Sequence, residues 1–397
     1  MIPNIRHAYN QSYAPASYKA LLQELGTVSG VEPAFRVAET PVFVPRDLTH
    51  RLLEAGDAIL QVIARPDFKS LTAGAIPKGF NVPGENARAQ FIIIDFAVTR
   101  DENGGLAPKL IELQGFPSLF GFQELLAAAY RRHTNVPSGL ENLGNGLNTT
   151  SYHELLRRTI VGNKPAEETI LLEVLPLQQK TLIDFACTEA MLGIPVVCVS
   201  ELKQSGRQLY FEREGKKRPV SRIYNRVIFE DLERLRAQLG NPIDLRQDFD
   251  VEWAPHPNWY YRISKYLLPH IHGPFAPRAW FLDEIPVLPQ QLDQYVLKPL
   301  FSFAGQGVLI DPTPEDVAKI TDPGNWILQE KVAYAPAVET PTGPAKCEIR
   351  LMYCWPDDAP APILAHNLAR LSKGKMIGVS YNQEQDWVGG SSAFFEY

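Results

Sequence analysis

From Tyr295 to Ile310 the chain reads Tyr-Val-Leu-Lys-Pro-Leu-Phe-Ser-Phe-Ala-Gly-Gln-Gly-Val-Leu-Ile. An apolar run delivers Lys298, a loop carries Ser302, Gly305, Gln306 and Gly307, and a second apolar run follows. Two short strands about a glycine-containing loop predict a hairpin whose backbone N–H groups can close over an anion. Lys298 at the base of that loop is a point charge suited to phosphate. The same residues also fit an ordinary hairpin with a surface lysine, and no G-x-x-x-x-G-K-S/T run occurs in the chain.

A second set of residues has the types that Mg²⁺ on phosphates takes. Phe-Ile-Ile-Ile-Asp-Phe-Ala-Val is a strand-like run interrupted by the carboxylate of Asp95. After a turn-rich segment, Lys109-Leu-Ile-Glu-Leu-Gln-Gly predicts an antiparallel partner, with Glu112 and Gln114 on one face by period-two alternation. Asp95 lies across from them if the register allows. A carboxylate among Ile and Phe is costly to bury unless a cation or a donor meets it. Two carboxylates and an amide are hard oxygen ligands; a solvated strand face is the plainer alternative. Further on, Glu348 and Arg350 share a face of the strand Cys347-Glu-Ile-Arg-Leu-Met-Tyr-Cys-Trp, which makes Glu348 the obvious ion-pair partner of Arg350. Arg226 ends another strand, beside Tyr224 and Asn225, in a position to meet an anionic ligand.

These side chains need an elaborate scaffold, and the chain is long enough to supply one. Its 397 residues, 45% apolar and 21% charged, suit two or three domains or one large globular enzyme. A net charge of −6 argues against a general nucleic-acid or membrane-surface role. The first residues lack a signal-peptide core, and the apolar runs are too short to span a membrane. Four cysteines without C-x-x-C spacing fit a reducing cytosol, so the expected location is cytoplasmic.

Three textures divide the chain. Residues 1–165 predict a helix from Leu48 to Ile63, capped near Asp47 or Thr49, then the Asp95 and Glu112 strands and a helix from Phe122 to Arg132. A polar Gly/Asn-rich stretch from Gly139 to Thr150 reads as a mobile loop or lid edge. Residues 166–255 alternate strand, helix and strand, which implies a small open parallel sheet. Without G-x-G-x-x-G after its first strand, a dinucleotide site is not expected there. Within that part, residues 233–254 read as helix-like. Residues 256–397 run through the hairpin to the strand ending Gln329-Glu330-Lys-Val332, and on through Ile363–Arg370 and Met376–Tyr381 as short strands.

Lys265 and Lys298, the glycine-containing hairpin and the strand ending Gln-Glu-Lys-Val together resemble the nucleotide-binding half of an ATP-grasp enzyme. The order of parts is similar to the circularly permuted group that includes glutathionylspermidine synthases, in which an Asp strand and a Glu-x-Asn strand with a Pro-containing loop precede the lysines. Asp95, Glu112 and Gln114, followed by Gly115-Phe-Pro-Ser118, match that order. The implied fold class is mixed α+β and α/β, a circularly permuted ATP-grasp with a small Rossmann-like parallel-sheet subdomain.

By that resemblance Lys265, Lys298, Ser302, Gly305, Gln306 and Gly307 contact ATP phosphates, and Gln329, Glu330 and Val332 present groups to adenine. Asp95, Glu112 and Gln114 hold Mg²⁺. Arg350 or Arg370 stabilises an acyl phosphate or oxyanion alongside Lys298, and Ser118 with Arg226 meets the acceptor carboxylate. The implied activity is ATP-dependent ligation of a small-molecule or peptide carboxylate to an amine or thiol. The sequence departs from the pattern at Gln114, where the group has Asn, and at Ile93, where it has Arg. Two alternatives stand beside this reading. One is a catalytically quiet nucleotide- or partner-binding protein of the same fold. The other is a linear ATP-grasp enzyme using Glu348 and Asn382 for metal.

Overall fold

The computed structural model describes residues 1–302, 305–374, 377 and 384–397. Its centre is a five-stranded antiparallel sheet in the order Gly389–Ser391, Ile363–Ser372, Lys346–Cys354, Phe91–Arg100, Leu106–Gln114. The run Phe91–Arg100 is apolar at successive positions because both of its faces are covered. Ile92, Ile94, Phe96 and Val98 join the core formed with Leu52, Ile59 and Ile63 of the helix Arg46–Ile63. Phe91 and Ile93 pack on the opposite side with Phe120, Leu155 and Leu156 from two other helices. Asp95 continues that second face beyond the packed residues.

Two smaller sheets flank the centre. An antiparallel one runs in the order Ala279–Phe281, Trp326–Glu330, Tyr295–Pro299, Leu309–Ile310 and contains the expected hairpin, with Val296 opposite Ile310 and Leu297 opposite Leu309. A parallel one runs Glu252–Ala254, Arg222–Asn225, Thr169–Glu173, Val196–Cys198. Its helix Leu182–Leu192 ends at Gly193, whose φ of 69° is left-handed, as a glycine C-cap allows. Val42–Val44, fully buried, pairs in parallel with Ala393–Phe395. A three-stranded antiparallel ribbon spans residues 203–220.

Some local expectations need correcting. The helix ending at Ile63 begins at Arg46 with Pro45 as its cap residue and no side-chain cap. Residues 233–254 hold only the end of the short helix Phe229–Leu235 and the strand Glu252–Ala254. The 139–150 stretch is irregular yet packed, not a lid edge. Leu140 and Leu143 are buried, and Glu141 exchanges backbone hydrogen bonds with Phe395. Gly144 N–H donates to the Ala365 carbonyl, so both this residue and Glu141 find backbone partners more than two hundred residues away that no local pattern reveals. The strand expected at Met376–Tyr381 lies outside the described residues except for Ile377, and Asn382 lies outside them altogether.

Candidate functional site

A cleft of about 1610 Å³ opens where the three sheets meet. Ladder register builds its floor. Asp95 stands opposite Arg350 on one neighbouring strand and opposite Glu112 on the other. Glu348 stands opposite Arg370 one strand further out. Arg350 grips Asp95 with a fork, Nε to Oδ1 at 2.6 Å and Nη2 to Oδ2 at 2.7 Å, and Arg370 adds Nη2 to Oδ2 at 2.5 Å. Arg370 Nε lies 3.3 Å from Glu348 Oε2, and the Tyr334 hydroxyl donates to Glu348 Oε1. Arg350 therefore pairs with Asp95 and not with Glu348. Residues two apart on one strand stand side by side, whereas cross-strand partners meet face to face.

Electrostatics follow from burial. Desolvation pushes the Asp95 carboxyl up, and Arg350 with Arg370 more than reverses this, holding it below the usual carboxylate range. Glu348 is raised by desolvation, which Arg370 only partly offsets. Lys265 reaches Glu112 at 3.1 Å and donates to the backbone carbonyl of Ser302, tying the hairpin loop to the floor. Lys298 is 8% exposed and donates to Gln329 Oε1 at 2.7 Å and to the Ile111 carbonyl at 3.1 Å. Desolvation lowers its pKa to about 8. Lys265, Lys298, Arg350 and Arg370 thus face Asp95, Glu112 and Glu348, which leaves an excess of cationic groups suited to a polyanion.

At the far end the cleft meets the C-terminal edge of the parallel sheet. Arg226 lies between the rings of Phe116 and Phe185, pairs with Asp184 at 3.1 Å, and keeps its buried Nε without a hydrogen-bond partner. Asp184 also accepts the N–H groups of Leu119 and Phe122 at 3.0 Å, where the helix Phe120–His133 begins. Glu173 ends its strand on the same wall, and burial pushes it up to about 8. Ser118 lines the wall from the loop after Gln114. That loop starts at Gly115, whose N–H donates to the Ile263 carbonyl and which packs so close to the Trp259 carbonyl that a Cβ would collide with it.

No family model matches this chain, and no curated protein does. Among solved structures, one of a glutathione synthetase-like effector, GSS30, from Globodera pallida in its apo form, superposes with a TM-score of 0.57. The match is 12% identical in sequence and covers 96% of this chain and 99% of that one. The fold is glutathione synthetase-like. At such identity the likeness concerns the fold alone, and the chemistry of the site must be read from its own residues.

Within this glutathione synthetase-like fold, the described residues singled out from sequence come together, with one exception. Asp95, Glu112, Gln114, Ser118 and Arg226 line the cleft from the sheets. Lys265, Lys298, Ser302, Gly305 and Gln306 line it beside the hairpin, and Gln329, Glu330, Val332, Arg350 and Arg370 complete it. Gly307 is not part of the lining. It turns the chain at φ 70°, with Pro299 Cγ 3.1 Å from where a Cβ would stand. At the expected adenine edge, Glu330 N–H donates to the Arg278 carbonyl and Lys331 N–H to that of Gln294. Those two N–H groups are therefore not free for a base, whereas the Gln329 side chain keeps a buried Nε2 without a hydrogen-bond partner. Sequence reasoning missed Tyr334 and Glu173, one in an irregular segment and the other a strand-end carboxylate like many others.

The lining groups are of the kinds that a nucleotide takes: buried Lys265 and Lys298, the unsatisfied amide of Gln329, and the glycine-containing loop at Gly305. The Asp95, Glu112 and Gln114 set does not fit Mg²⁺ as it stands. Both oxygens of Asp95 are engaged by arginine and one oxygen of Glu112 faces Lys265. Among the described residues, no three His, Cys, Asp or Glu side chains are gathered to hold a metal ion. No helix there is long and apolar enough to cross a membrane.

Proposed function

We propose that this chain is an ATP-dependent ligase of the ATP-grasp type, in the circularly permuted order, joining a carboxylate to an amine through an acyl phosphate. The observation that carries it is the meeting of Lys265, Lys298, Arg350 and Arg370 on one cleft beneath a glycine-containing hairpin. Phosphoryl transfer asks mainly for positioning and neutralised charge. A substrate carboxylate takes the γ-phosphoryl group and ADP leaves; the amine then displaces phosphate and loses a proton. Lys298 and Lys265 offset phosphate charge, and Arg350 with Arg370 faces the reacting oxygens. Ser118 and Arg226 orient the acceptor at the far end.

Lys298→Ala tests the reading. ATP binding by calorimetry should weaken by at least about tenfold, the loss expected for one charge-assisted contact in a buried site. Unchanged binding would exclude Lys298 from the nucleotide site. A second reading is a catalytically quiet nucleotide-binding protein, favoured by the closure of Asp95 between two arginines and by a structural neighbour described as an effector. ADP release that depends on an added amine, across a panel of carboxylates, separates the two.

A further inference from the structure

Resting on the nucleotide reading above, we propose that Asp95 is a positioning residue that holds Arg350 and Arg370 as a two-arginine anion clamp and is not a metal ligand. A carboxylate offers about four lone-pair sites. Three are filled at Asp95, by Arg350 Nε at 2.6 Å, Arg350 Nη2 at 2.7 Å and Arg370 Nη2 at 2.5 Å. These are charge-assisted contacts, two of them in the parallel fork that fixes the plane of a guanidinium. Neither arginine can relieve the pairing by losing its proton, since guanidinium stays charged in proteins. Asp95 is 1% exposed and Arg350 6%, so a metal taking Asp95 would leave a buried guanidinium unpaired and add a divalent charge beside it.

The far side of the clamp is built as well. Glu348 faces Arg370 Nε at 3.3 Å and is itself held by the Tyr334 hydroxyl. Arg370 thus lies between two carboxylates, one from each of two strands, hydrogen-bonded to Asp95 while its buried Nε keeps no hydrogen-bond partner. Arg350 and Arg370 both line the cleft. Planar, preorganised donors at that place suit the oxygens of a phosphoryl group.

The test uses the full chain, a non-hydrolysable ATP analogue, and Mn²⁺ in place of Mg²⁺. In crystals, the anomalous signal of Mn²⁺ is expected beyond coordination distance of Asp95, with both arginine pairs retained. A Mn²⁺–oxygen bond to Asp95 overturns the inference and leaves the nucleotide reading standing. In solution, Asp95→Asn should lower analogue affinity by about tenfold while Mn²⁺ affinity at saturating analogue, read by electron paramagnetic resonance, stays within about twofold. The opposite split overturns the inference. Should that variant fail to fold, Arg370→Lys keeps the charge and removes the planar donors. It should lose analogue affinity by about tenfold with Mn²⁺ affinity unchanged, and unchanged analogue affinity overturns the inference. Crystals in which the cleft holds no analogue overturn the nucleotide reading and the clamp together.

Discussion

Lys298 carries a charge that burial disfavours, and a polyanion beside it would restore that charge. Its folded pKa of about 8 lies below the ordinary lysine value. Between those two values the unfolded chain binds a proton that the folded chain has released, so this group's share of stability rises with pH across the window. A bound polyphosphate raises the lysine pKa again. Nucleotide binding should therefore take up about half a proton at pH 8, rising towards one near pH 9.5, and Lys298→Arg should abolish the uptake. Calorimetry in two buffers of different ionisation enthalpy measures it; zero uptake by the natural chain across that window would sink the assignment.

Glu173 behaves in the opposite sense. Its folded pKa is raised to about 8, so folding favours the protonated form, and the group costs stability progressively as pH climbs from the ordinary glutamate value to 8. Glu173→Gln keeps the oxygen that accepts the Val174 N–H and removes the titration. The variant should melt several degrees above the natural chain at pH 8 and nearly together with it at pH 4, a difference that scanning calorimetry resolves. Equal melting at both pH values would mean that Glu173 ionises normally.

At the scale of elements, the segment that delivers Lys265 is held from a distance. Arg262, in the short helix Asn258–Arg262, bonds Glu85 through Nε at 2.9 Å and Nη2 at 3.0 Å. Glu85 also accepts from Asn258 at 2.8 Å, while Trp259 Nε1 donates to Asn86 at 2.7 Å. The Gly/Pro-rich loop at 77–84 and the residues just after it thereby fix the direction in which the chain enters the cleft. Glu85→Ala leaves a largely buried guanidinium short of its carboxylate and should cost about 3 kcal/mol by urea unfolding. Because Lys265 follows directly, its nucleotide affinity should fall as well. A loss below about 0.5 kcal/mol would show the contact to be no more than a surface pair.

At the scale of the molecule, the central sheet takes two strands from 91–114 and three from 346–391. The divisions at 165 and 255 read from sequence texture follow stretches of chain, whereas the core follows the sheet. In fragments 1–255 and 256–397 the strands of 91–114 and of 346–391 should each be protease-sensitive alone and gain protection only when the fragments are mixed, whereas the parallel sheet of 169–254 has its core within the first fragment. Protease-resistant 91–114 strands in fragment 1–255 alone would show that they have a core of their own. Val42–Val44 beside Ala393–Phe395 ties the two ends in the same way.

The local pieces were legible along the chain. The glycine-containing hairpin, the Asp95 and Glu112 strands, the helix ended by Gly193 and the strand–helix–strand alternation beside it follow from periodicity and turn chemistry within a few residues. What each charge meets was not legible there. Arg350 and Glu348 are two apart in sequence, yet Arg350 is paired with Asp95, 255 residues away, because strand register sets Coulomb partners. Asp95 among isoleucines announced that a cation or donor must meet it. That two arginines fill this place, where the metal reading had put magnesium, rests on the order in which the strands were laid side by side.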